Sequence, residues 1–209
     1  MPQWQTQHTS TPLPTPCGLS SSFSLRAPPA TDLWASPPDT CIFTAPFIYQ
    51  AMPLASFRRA RVTISAELAD QPYAQAGLAL LLPQSDGGQR RWVKTGVEVL
   101  GGRRVLATVG RDRWPDCSLV AADPALGRVT VELMRQGNNL VVSRVKRRET
   151  GGAEREILRE LGWVFASSVG NTIQEQCWVG VFVANPSGEA EAFDVRFEGL
   201  VVEGVEDEP

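Results

Sequence analysis

The chain has 209 residues, 43% of them hydrophobic, and a formal net charge of −3. That length suits one undivided all-β domain, and the near-neutral charge offers no basic surface for nucleic acid or anionic membranes. No apolar run approaches the ~18 residues of a membrane span.

Residues 1–18 are rich in Pro, Thr, Ser and Gln without periodicity, and a loosely held segment is expected there. The first residues carry neither a basic n-region nor an apolar h-region, so the expected compartment is the cytoplasm. Disulfides are rare there, and Cys17, Cys41, Cys117 and Cys177 form no C-x-x-C pair; free thiols are expected. The only histidine is His8. The segment S-S-F-S-L-R-A (21–27) reads as a short strand, stopped by Pro28-Pro29. Residues 32–39 read as an irregular loop containing Trp34. Residues 41–51 read as strand, interrupted at Pro46, since proline cannot donate to a ladder. In Phe57–Leu68, Val62, Ile64, Ala66 and Leu68 alternate with Arg61, Thr63, Ser65 and Glu67.

Tyr73–Leu82 alternates as well, with Leu78, Leu80 and Leu82 opposite Gln75, Gly77 and Ala79. In Arg91–Val99, Val93, Thr95, Val97 and Val99 point one way, and Trp92, Lys94, Gly96 and Glu98 the other. Gly101-Gly102 turns the chain into the next strand. A three-residue loop (Gly101, Gly102, Arg103) gives the cleaner apolar side, with Val99 by Val105, Val97 by Ala107 and Thr95 by Val109. That register predicts a shared polar face bearing Gln75, Trp92, Lys94, Glu98, Thr108 and Asp112, floored by Gly77, Gly96 and Gly110.

Residues 114–127 read as a long loop. Residues 129–135 and 140–147 form a second hairpin around Gly137-Asn138-Asn139. Residues 151–163 are open between a short helix and a strand or loop. Residues 178–184 form a buried strand, 193–203 an alternating one, and the end of the chain an acidic tail. The whole reads as an all-β sandwich of two antiparallel sheets with at most one short helix: a domain over 19–203 between a loose segment (1–18) and the tail (204–209).

Y-A-Q-A-G-L (73–78) followed by W-V-K-T-G-V-E (92–98) resembles a family of domains of unknown function in the concanavalin A-like lectin/glucanase superfamily. The fungal regulation-of-enolase branch is similar in L-W-x-x-P-P near Trp34, A-P-F-I-Y-Q near Ala45, L-R-E-L-G-W-V-F near Trp163 and W-V-G-V-F near Trp178. The third motif of that family, S-D-W-S, departs here: the segment W-P-D-C-S keeps Asp116 and Ser118 but has Cys117 in place of the tryptophan. The resemblance implies a jelly roll whose concave sheet binds carbohydrate in superfamily members.

The candidate ligand-binding residues are Tyr73, Gln75, Trp92, Lys94, Glu98, Asp112 and Asp116. Trp92 offers a face to a sugar ring, or else packs under a loop or the chain's own N-terminal segment. Lys94 and Glu98, four residues apart on one strand, lie too far apart (~13 Å) for a direct pair. Each takes partners from neighbouring strands or from a ligand. No strand carries the paired carboxylates of a glycosidase, and no P-loop, nucleophile elbow or metal-spaced cluster occurs. The reading is a non-catalytic module binding a saccharide or a glycosylated partner, with no metal or cofactor. An interaction or regulatory module linked to carbon metabolism comes second, and a glycoside hydrolase third.

Overall fold

The computed structural model describes residues 3–65, 68, 71–83, 90–122, 127–148, 151–166, 175–189 and 191–205. The strands are numbered along the chain. Alternating apolar and polar side chains build two large antiparallel sheets. The first has seven strands, ordered β1 (Trp4–Gln7), β5 (Phe47–Pro53), β14 (Gln176–Ala184), β7 (Gln75–Leu82), β8 (Arg91–Leu100), β9 (Arg103–Arg111) and β10 (Pro115–Ala121). The second has six, ordered β13 (Ala153–Leu161), β12 (Asn139–Arg147), β11 (Arg128–Gln136), β6 (Phe57–Ser65), β15 (Phe193–Gly204) and β2 (Ser22–Ala27). A separate hairpin is formed by β3 (Leu33–Ser36) and β4 (Thr40–Phe43). One short helix, α1 (Pro16–Ser21), is capped by Thr15, whose hydroxyl accepts from the Gly18 amide at 3.1 Å. No helix among the described residues is long and apolar enough to cross a membrane. The fold is the expected sandwich.

Two apolar clusters hold it. The larger fills the space between the sheets and includes Leu78, Leu80, Val93, Val97, Leu106, Val131, Val142, Val181 and Phe197. The second lies on the opposite, outer face of the seven-stranded sheet, the face that the resemblance implies is concave. There Leu33 from the hairpin packs on Phe47, Tyr49, Leu81, Trp92, Val109 and Phe182.

Several segments differ from the sequence reading. Residues 32–39, expected as irregular loop, form β3 and the turn into β4, because Leu33 and Ala35 are the alternate residues that find apolar cover. The loop expected at 114–127 contains β10, which pairs with β9 along its whole length. The segment at 151–163 resolves as β13; its alternating charges suit an edge strand and pair across to β11, β12 and β10. Residues 4–7 pair with β5, and Trp4 packs against the main core. The acidic tail lies outside the described residues beyond Val205.

The central register also differs. Gly101 and Gly102 form a two-residue turn, with φ of +58° and +71°, and Leu100 pairs with Arg103. Val97 therefore lies opposite Leu106, Glu98 opposite Val105, Lys94 opposite Val109 and Trp92 opposite Arg111. The three-residue loop would have placed Thr108 and Gly110 on the polar face. They point inward instead: Thr108 Oγ1 is 2.9 Å from Thr95 Oγ1, and a side chain on Gly110 would meet Leu161 of the other sheet. A buried threonine pair satisfies its own hydroxyls, which makes the inward face tolerable without being wholly apolar.

Candidate functional site

Glycine sets the site's floor. Gly77 on β7 and Gly96 on β8 are cross-strand partners. A Cβ on Gly96 would fall 2.0 Å from the Ala76 carbonyl oxygen, and one on Gly77 2.0 Å from that of Thr95. Only glycine permits this approach.

Lys94 is only 4% exposed. Its Nζ donates to the Leu33 carbonyl oxygen and to Gln75 Oε1, each at 2.7 Å. The rings of Trp92, Trp34 and Phe182 surround it, with centroids 5.5, 5.6 and 6.0 Å from Nζ. Such a box favours a cation by its ring quadrupoles. Gln75 in turn donates through Nε2 to Asp32 Oδ1 at 3.2 Å, and Asp32 Oδ1 accepts from the Leu33 amide at 2.7 Å. The Asp32 carbonyl accepts from the amides of Thr44 and Ala45, which fastens both ends of the hairpin.

Glu98 is half-buried beside this group and makes no hydrogen bond or ion pair with any described residue. Burial pushes the carboxyls of Glu98 and Asp32 above the ordinary range, with the Lys94 charge pulling each the other way. Burial pushes the Lys94 amine down, opposed by Asp32 and Glu98. Desolvation dominates in all three because the hairpin and its aromatic cluster replace water over this part of the sheet.

A small pocket opens here, lined by Gln75, Lys94, Gly96, Glu98, Ala107 and Phe182, with about 10 Å³ of free space. That is room for roughly one water molecule. Near it are two side chains with much exposed surface, Trp34 at 37% beside Lys94 and Leu119 at 50% opposite Ala107; Tyr73, 54% exposed, meets Gln75 through its backbone. Cys117 also faces this side, opposite Val109; its thiol is raised by burial and by Glu98. This is the position where the resembled motif carries tryptophan, so the smaller side chain leaves the β10 edge of the pocket open.

Of the seven residues the sequence singled out, the structure gathers Gln75, Lys94 and Glu98. Tyr73 borders them: its backbone, at φ +64°, donates to the Val99 carbonyl and accepts from Gln75 Nε2. Trp92 belongs to the cluster but is 1% exposed beneath the hairpin, so its face is not offered to a ligand. Asp112 lies past the end of β9, exposed, 3.8 Å from Arg91, on the other side of β8 from Lys94. Asp116 faces the second sheet, where it pairs with Arg159; Ser118 Oγ accepts from the same guanidinium at 3.1 Å. The Asp-x-Ser spacing thus ties β10 to β13, since residues two apart on a strand share a face.

Asp32, the Leu33 carbonyl, Trp34 and Phe182 were absent from the sequence candidates. The motif L-W-x-x-P-P held the signal for Leu33 and Trp34, and W-V-G-V-F held that for Phe182; Asp32 lies one residue before the first motif. Arg111, fully buried beside Trp92, donates to Cys41 Sγ at 3.1 Å and to the Arg90 carbonyl at 3.0 Å. It marks the closed end of the concave face. Among the described residues no cluster of His, Cys, Asp or Glu has the makings of a metal site.

A family model described as protein of unknown function (DUF1349) matches residues 14–204. An uncharacterized protein of Emericella nidulans is 37% identical over 186 residues, covering 88% of each chain. Among solved structures, a functionally unknown protein from Saccharomyces cerevisiae superposes with a TM-score of 0.72 at 15% identity, covering 98% of both chains. The GH43 protein BlXynB from Bacillus licheniformis superposes with a TM-score of 0.58 at 11% identity, over 88% of this chain and 33% of its own. An immunostimulatory antigen and pseudo beta-1,3-glucanase of Mycobacterium tuberculosis gives 0.51 at 12% identity, over 97% of this chain and 91% of its own. At these identities the structural likenesses are likenesses of fold. The match over nearly the whole sequence and the fungal relative together place the chain in the DUF1349 family of proteins of unknown function.

Proposed function

We propose that the chain is a non-catalytic module that binds a saccharide at the open end of the concave sheet. One hydroxyl group enters the pocket, accepting from Lys94 and donating to Glu98. The ring rests outside, against Trp34, Tyr73 and Leu119. The observation that carries this reading is the pairing of a buried donor with an unpartnered carboxylate across the Gly96 floor. A hydroxyl is the group that serves both, because it donates and accepts at once. Aromatic rims complement the apolar faces of sugar rings. The glycan-related names of two structural relatives agree with this reading without carrying it.

The test is a glycan array followed by calorimetric titration of the best binder. Trp34→Ala should weaken binding by about 2 kcal/mol, roughly thirty-fold, as expected for an aromatic anchor. Glu98→Gln should weaken it as well, and no glycan should be turned over. An array without binders, or one whose binders are indifferent to both changes, removes the reading.

A second reading is favoured by the cover over the sheet. The hairpin occupies most of the concave face, and its outer side exposes the cross-strand pair Trp34 and Ile42, each at 37%. That arrangement suits a protein-interaction or regulatory module. The finer likeness to the regulation-of-enolase branch, with its connection to carbon metabolism and an intracellular setting, belongs to this second proposal.

A further inference from the structure

Two of the chain's twenty basic residues are lysines, Lys94 and Lys146. Lys146 is exposed on β12, 2.8 Å from Glu156. Lys94 is buried, boxed by three aromatic rings, and opens on a pocket. An arginine at 94 would offer more donors to the same two acceptors. What lysine alone supplies there is a primary amine, a nucleophile toward carbonyl carbon when neutral.

The surroundings suit that chemistry. Both hydrogen bonds from Nζ go to neutral acceptors, and one of the three amine positions has no protein partner. Neither neighbouring carboxylate pairs with it directly. Glu98 lines the same pocket with its carboxyl unengaged. Burial lowers the amine's affinity for its proton and raises that of Glu98. Both directions help, since one group must shed a proton and the other must hold one to give.

We propose that Lys94 captures small aldehydes as a protonated Schiff base. The amine lone pair attacks the carbonyl carbon, the carbonyl π pair moves to oxygen, and one proton passes from the nitrogen to that oxygen. The product is a carbinolamine. Glu98 protonates its hydroxyl group, the C–O bond breaks, and one water leaves. The nitrogen lone pair forms the C=N bond, so no oxidant or reductant is consumed. The resulting iminium carries one positive charge. It therefore keeps the attraction of the Trp34, Trp92 and Phe182 rings that the ammonium had, and Glu98, having given its proton, faces it as a carboxylate. An acyl group or a carbamate would lose or reverse that charge. The pocket's size restricts the partner to short aldehydes, such as two-carbon hydroxyaldehydes, whose hydroxyl group reaches the open mouth.

The inference goes beyond saccharide binding and is scored by a different measurement. The full chain is incubated with glycolaldehyde at neutral pH, reduced with borohydride, digested with trypsin and mapped by mass spectrometry. A reduced adduct on Lys94 blocks cleavage there and leaves the peptide from Trp92 to Arg103 intact, carrying one hydroxyethyl group. Lys94 should be modified well ahead of Lys146. Glu98→Gln should slow modification of Lys94 by about a hundredfold while leaving Lys146 unchanged. Equal modification of the two lysines in the native protein overturns the proposal, as does modification of Lys94 only after unfolding in urea. A Glu98→Gln protein that reacts at the wild-type rate removes Glu98 as the proton donor. Glycan binding by a protein whose Lys94 resists trapping would sink this inference and leave the saccharide reading standing; trapping without glycan binding would do the reverse.

Discussion

Replacing Trp92 by alanine tests the architecture of the concave face most directly. Its side chain is 1% exposed, packed with Leu33, Phe47, Leu81, Val109 and Phe182 between the sheet and the hairpin. A fully buried tryptophan withdraws about 150–250 Å² from water. At about 25 cal/mol per Å² that amounts to roughly 4–6 kcal/mol. Measured core truncations of this kind cost about 3–5 kcal/mol, because the cavity collapses only in part. The loss of one wall of the Lys94 box adds about 1 kcal/mol. For a chain of 209 residues, such a change lowers Tm by roughly 10 °C. The assay is calorimetry or urea unfolding followed by far-UV circular dichroism, since removing a tryptophan alters the fluorescence signal itself. Trp34→Ala is the control: it also removes one wall of the Lys94 box, but the side chain is 37% exposed, so it should cost clearly less, about 1–2 kcal/mol. If Trp92→Ala cost no more than that control, the hairpin would not cover the sheet in solution. The ligand-stacking role for Trp92 would then return.

Further outcomes are expected. Glu98 and Asp32 hold their protons in the fold at a pH where the unfolded chain has lost them, because burial raises both. Stability should therefore fall as pH rises from about 4, the ordinary carboxylate value, through the raised values, and be level above them. Glu98→Gln removes one such group, so its Tm relative to wild type should climb across that interval; a flat difference between about pH 4 and pH 8 would contradict the burial. Gly96→Ala would put a methyl carbon 2.0 Å from the Ala76 carbonyl oxygen, whereas Gly102→Ala meets nothing within 4 Å. The turn variant should lose only about 1–2 kcal/mol for its left-handed φ, and Gly96→Ala should fail to reach a native melt. Comparable melts for the two would disprove the close strand approach. Cys177 is buried and its thiol is pushed up to about 12, while Cys17, Cys41 and Cys117 are exposed. Iodoacetamide should label those three in the native protein and Cys177 only after unfolding; native labelling of Cys177 would mean that β14 opens.

Period-two alternation made most strands legible, and it correctly put Lys94, Gly96 and Glu98 on one face of β8. The hairpin register was not legible. Two registers around Gly101-Gly102 differ by one residue, and the apolar-face criterion favoured the wrong one. A buried hydroxyl pair, Thr95 with Thr108, satisfies itself inside the sandwich. Thr108 on the inner face therefore costs less than residue-type counting assumed. Asp116 shows the same limit: its spacing from Ser118 was visible, but the partner Arg159 lies forty-three residues away on the other sheet.

By itself the sequence determined the all-β class, because alternation is a local property and the turn glycines are read from their neighbours. It also determined that β8 carries a cation and a carboxylate on one face with a gap between them. Only the tertiary structure decided what covers that face. Residues 32–43 give no strong periodic signal, being too short and proline-broken. Their fold as a hairpin depends on cover found elsewhere: Leu33 packs on the concave-face cluster, its carbonyl binds Lys94, and Asp32 binds Gln75. These contacts join segments forty-three and sixty-one residues apart. They close over Trp92 and leave Lys94 and Glu98 at the edge of the cover, where a buried charge still has a route to solvent.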